Sequence, residues 1–120
     1  MNTGRYILKD KKSIPEPELL KWGKWMQDKK NRIVKQTNVG NYLVSTVFLG
    51  LDYEFEMLLV TPPENYNPLI FETMIFDISS TNEVGFHDDV FDYMERYRTY
   101  EEAIEGHKVA VRYVKKEIKK

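Results

Sequence analysis

A chain of 120 residues, 42% hydrophobic and 13% aromatic, is long enough for one domain with a single modest core. It has no cysteine, which excludes disulfides and thiolate metal sites, and no apolar stretch nears the roughly 20 residues that a membrane-spanning helix needs. The net charge of −1 conceals a segregation: residues 1–51 carry +6, residues 52–105 carry −12 and residues 106–120 carry +5. Two readings stay open, acidic loops folded beside basic helices into a mixed surface, or an acidic face offered to a basic partner. The first twenty residues are basic and broken by proline, without the apolar run of a signal peptide, and the lack of cysteine fits a reducing cytosol.

Arg5-Tyr6-Ile7-Leu8 predicts a short opening strand. An extended connection from Lys9 to Pro17 follows, because proline biases the residue before it away from helix. Pro17 and Glu18 suit a first helical turn and predict a helix over about 17–30, with Leu19, Trp22 and Met26 as its buried stripe and Trp25 at the edge. Arg32 to Thr37 predicts a strand that turns through Asn38-Val39-Gly40 into a central strand from Tyr42 to Leu49. In the weakly patterned stretch from Asp52 to Pro68, Phe55 to Val60 suits a further strand and Thr61-Pro62-Pro63-Glu64-Asn65 a loop. Leu69 to Phe76 predicts the second central strand, Asp77 to Asp89 a loop, and Phe91 to Tyr97 a shorter, more exposed strand.

The last helix carries the clearest signals. Thr99 with Glu102 three residues on is a capping-box pattern, and Tyr100, Ile104, His107, Val111, Val114 and Ile118 then form one four-three stripe. A second line of small residues, Ala103, Gly106 and Ala110, includes a glycine that costs ~1 kcal/mol relative to alanine inside a helix. Gly106 therefore predicts a close approach to the sheet. The sum is an α+β domain: an antiparallel sheet of four to six strands with two helices, about 17–30 and 99–119, packed on it.

Both central runs are apolar on both faces yet carry polar residues, Ser45 and Thr46 in one and Glu72 in the other. On a period of two, Ile70, Glu72, Met74 and Phe76 share a face, which brings Glu72 near Ser45 or Thr46 depending on register. A buried carboxylate needs a partner, and Arg96 on the next strand is the expected one. Such a pair either fixes strand register or marks a site; Glu72→Gln is expected to change binding more than stability in the second case. His107 lies on the apolar stripe, as a core histidine or as an acid/base group oriented by a carboxylate such as Glu72. Trp22 and Trp25 either pack in the core or leave a ring exposed for a partner. His87-Asp88-Asp89 has metal-like residue types, but two histidines in the chain are too few for a closed zinc site, and no metal or cofactor is expected.

Arg5 to Leu8, Leu19 to Trp25, Val44 to Asp52, Phe71 to Phe76, and Met94-Glu95-Arg96-Tyr97 with Thr99 and Glu101 to His107 occur in that order. Together these blocks, about half of the chain, resemble a family of short uncharacterised proteins encoded by bacteriophages and prophages. The stretches from Asp52 to Pro68 and from Asp77 to Phe91 depart from the family pattern. The resemblance implies a product acting in the cytoplasm of an infected bacterium, and it supplies no activity.

The leading expectation is a small accessory protein that binds a host protein or a small ligand and dimerises through the sheet face its helices leave bare. The rival is a small hydrolase-like enzyme using Glu72 and His107, with Arg96 holding an anion; a virion or assembly component is the third reading. No membrane association is expected. Nucleic-acid binding is disfavoured, since fourteen acidic residues between 52 and 105 oppose a basic footprint.

Overall fold

The computed structural model describes residues 4–52, 66–81 and 87–119, with backbone alone at 80, 81, 87–90 and 92. Strand β1 (Tyr6–Lys9) turns back into β2 (Lys12–Pro15). Helix α1 (Leu19–Gln27), a single turn α2 (Lys29–Arg32), β3 (Ile33–Val39), β4 (Tyr42–Phe48), β5 (Phe71–Thr81), β6 (His87–Tyr97) and α3 (Tyr100–Glu117) follow. Strands β3-β4-β5-β6 form one antiparallel sheet in sequence order, and β1-β2 a separate hairpin. This is the α+β architecture that the alternation of patterns predicts.

Several boundaries differ from the sequence reading, each for a local reason. The expected extended connection from Lys9 to Pro17 contains β2, because Asp10 and Lys11 adopt left-handed backbone, φ 51° and 65°, and close a two-residue hairpin turn. The expected single helix over 17–30 breaks at Asp28, which is extended; its carboxylate accepts from the Lys30 N–H at 3.0 Å and caps α2. The expected loop from Asp77 to Asp89 is largely strand: β5 runs on through Ile78 to Thr81, and β6 begins at His87. Strand β6 bulges between Asp89 and Met94, where Phe91 has φ 64° and sets its ring 5.3 Å from Tyr42 and 5.7 Å from Tyr113. The strand expected over Phe55 to Val60 and the loop after it lie outside the described residues.

Helix α3 covers one face of the sheet. Its Thr99 cap forms: the hydroxyl accepts from the Glu102 N–H at 3.1 Å and donates to the Glu102 carboxylate at 3.0 Å. The buried stripe is Ala103, His107, Ala110 and Val114, while Ile104 and Val111 are half-buried and Ile118 is exposed. The helix is thus rolled toward its small residues, which let it approach the strands more closely than the larger stripe would. Two apolar clusters result, one of Tyr6, Phe48, Ile70, Phe71 and Ala103, the other of Val39, Val44, Ile75, Ala110 and Val114. His107 sits between Ala103 and Ala110, where the clusters meet.

Helix α1 is held at one edge and buries none of its residues fully. Leu19, expected in its buried stripe, is exposed, and Leu20 is 87% exposed. The anchors are the tryptophans. Trp22 donates its indole N–H to the Gly50 carbonyl at 3.0 Å, and Trp25 meets Phe48 edge-to-face at 5.6 Å. Gly50, at φ 79°, takes the left-handed backbone that glycine adopts without strain, and the Met26 thioether lies against it.

Candidate functional site

Pairing register sorts the polar side chains onto two faces. Thr46 stands opposite Lys35 on one side and Thr73 on the other, and Glu95 follows across β6, so this row lies under α3. The neighbouring row, Val47, Glu72 and Arg96, points the other way, as does the row Gln36, Ser45, Met74 and Met94. A one-residue step decides which of Ser45 and Thr46 meets which partner.

Under α3 a continuous run of hydrogen bonds crosses the core. Thr46 Oγ1 lies 2.6 Å from Thr73 Oγ1 and 2.7 Å from His107 Nδ1, while His107 Nε2 lies 2.8 Å from Thr37 Oγ1. The run spans three strands of the sheet, β3, β4 and β5, and the helix. His107 is 1% exposed, and Thr46 and Thr73 are fully buried. Burial first, and the Lys35 ammonium second, push the His107 pKa below 6.5. Burial likewise raises that of Tyr97, against a smaller lowering by the Thr73 hydroxyl. A neutral imidazole donates from one nitrogen and accepts at the other, and hydroxyls can do both, so every member is satisfied.

This corrects the alternative in which a carboxylate such as Glu72 orients His107 as an acid/base group. Glu72 is on the opposite face and bonds Arg96, whose Nε donates to its Oε2 at 2.9 Å. The two residues stand directly opposite in register, as the sequence suggests. Glu72 is 8% exposed, and beside it the Gln36 amide donates to the Ser45 hydroxyl at 3.1 Å. Hence Glu72, Arg96 and Ser45 share one face and Thr46 and His107 the other, while Trp25 packs on the cluster of Phe48 and Ala103 and Trp22 on the Gly50 carbonyl. Glu72, Arg96 and His107 do not converge. Thr37 and Thr73 escaped the sequence reading; a threonine within each of the three successive strands β3, β4 and β5 is the signal that was there. His87, Asp88 and Asp89 fall on β6 with side chains outside those described, and among the described residues no group of acidic or histidine side chains can hold a metal.

The depressed His107 pKa sets a pH dependence. The unfolded chain binds this proton near pH 6.5 and the folded chain only at lower pH, so stability falls as pH drops below about 6.5 and levels off beneath the folded pKa. Urea unfolding across this range is expected to show that loss in the parent chain and not in His107→Gln.

Around the Glu72–Arg96 pair this sheet face carries apolar side chains. Met94 is 53% exposed, and Leu43, Val47, Met74 and Phe76 are half-buried. No described helix is long and apolar enough to cross a membrane. No protein-family model matches the chain, and neither the curated proteins nor the solved structures compared with it give a match.

Proposed function

We propose that this chain is a small non-catalytic binding protein, a phage or prophage accessory factor that pairs with a second copy of itself and engages a host protein. The observation that carries this reading is the separation of Glu72–Arg96 from His107 by the sheet. General acid/base chemistry needs its groups within hydrogen-bond reach of one reacting atom. Here Glu72 and Arg96 are committed to each other on one face and His107 to Thr46 and Thr37 on the other. A surface with apolar residues around one ion pair instead has the make-up of an interface core, where Glu72 and Arg96 fix register between partners.

The self-pairing is tested by light scattering on the eluting protein. A dimer is expected for the parent chain and a monomer for Met94→Glu, with both showing the same far-UV spectrum and melting temperature. A monomeric parent chain removes the proposed dimer. Host engagement is read by pull-down from bacterial lysate, comparing the parent with Met94→Glu and with Trp25→Ala. Hydrolysis of model esters that is lost in both Glu72→Gln and His107→Gln would replace the binding reading with the enzymatic one.

A further inference from the structure

Between edge strand β3 and α3 lies a groove of about 300 Å³, lined by Lys35, Thr37, His107, Lys108, Val111 and Arg112. It lies on the face opposite the proposed dimer surface, and its properties do not depend on that surface. Three cationic side chains border it and no carboxylate does. Lys108 is paired with Glu105 at 3.2 Å, whereas Lys35 and Arg112 have no carboxylate partner among the described residues. One wall is Val111 with the aliphatic stems of the basic residues, which bury readily against an apolar body. The floor is the end of the buried hydrogen-bond run. If Thr46 donates to His107 Nδ1, Nε2–H donates to Thr37, and the Thr37 hydroxyl proton is left to point at an acceptor in the groove.

From this combination we infer that the groove binds a small organic phosphomonoester, its phosphate between Lys35, Arg112 and the Thr37 hydroxyl and its organic body against Val111. Guanidinium and ammonium donors are the groups that hold phosphate oxygens by charge-assisted hydrogen bonds. The volume is at the small end of ligand sites, which suits a ring or sugar bearing one phosphate rather than a large cofactor. The charged groups facing His107 are Lys35 from β3 and Glu95 at the far end of the Lys35–Thr46–Thr73 row, with Lys108 and Arg112 on α3 itself. A bound phosphate beside Lys35 offsets the positive side of this field and favours one tautomer of the imidazole.

The test is an NMR titration of the full chain with phenyl phosphate, inorganic phosphate and benzyl alcohol in parallel. Phenyl phosphate is expected to saturate shifts at Thr37, Val111 and the His107 ring, and to hold the ring nitrogens as the Nε2–H tautomer. Inorganic phosphate should bind the same residues more weakly, and benzyl alcohol should leave them unmoved. Lys35→Gln and Arg112→Gln, both at exposed positions, should each weaken phenyl phosphate about tenfold, the loss expected for one charge-assisted contact. Shifts that never saturate, shifts undiminished in both variants, or equal binding of benzyl alcohol would overturn the assignment. Binding that follows Lys115 or Lys29 rather than Lys35 would do the same.

Discussion

His107→Ala is expected to cost about 3–5 kcal/mol of unfolding free energy, a large share of what a domain of this size has. Two losses combine. A cavity opens at the junction of the two apolar clusters, where Ala103 and Ala110 are too small to fill it. The hydroxyls of Thr46 and Thr37 also lose their imidazole partner, and a buried polar group left without one costs roughly 1–3 kcal/mol. His107→Gln, which keeps an acceptor and a donor near the same places, should lose less than half as much. Urea denaturation with unchanged m-value measures both. A cost for His107→Ala below about 1 kcal/mol would mean that the run of hydrogen bonds contributes nothing to holding α3 on the sheet.

Gly106→Ala should destabilise although alanine is favoured over glycine in a helix by ~1 kcal/mol. A Cβ at this position would overlap the Tyr97 ring, which crosses the helix there. That ring packs against the cluster of Tyr6, Phe48, Ile70, Phe71 and Ala103, so moving it disturbs the core beneath the helix. The expected net cost is about 1–3 kcal/mol, the range for forcing extra volume into a packed site. In a Tyr97→Leu background the same change should become neutral or stabilising. Gly23 is the control, since nothing lies within 4 Å of a Cβ there, and Gly23→Ala should gain up to ~1 kcal/mol. Equal effects at Gly106 and Gly23 would refute the close approach.

Much of this fold is legible in the residues themselves. The Thr99–Glu102 cap and the two central strands follow from short-range patterns whose physics is local, and the Glu72–Arg96 pairing from a buried carboxylate's need for a cation on the next strand. The roll of α3 toward Ala103 and Ala110 is not, because it depends on how tightly the sheet lets a helix approach, which no period in the helix specifies. Registers are similarly hidden: Ser45 and Thr46 are neighbours, and only the pairing of β4 with β5 decides that Thr46 meets His107 while Ser45 stays with Gln36. Thr37 and Thr73 were legible only as good strand formers, since their chemistry arises when His107 arrives between them. The turn at Asp10 and Lys11 carries no glycine, so its left-handed backbone has no marker in the sequence.

The central claim is that His107 is a neutral hub sealed under α3 and separated from Glu72 by the sheet. Its most direct measurement is the ring-nitrogen NMR spectrum of His107 followed from pH 8 downward, in the parent chain and in Glu72→Gln. The expected result is a neutral ring that titrates below 6.5, in the same place in both proteins. A midpoint at or above 6.5 that falls when Glu72 loses its charge would place the two residues in one site and contradict it.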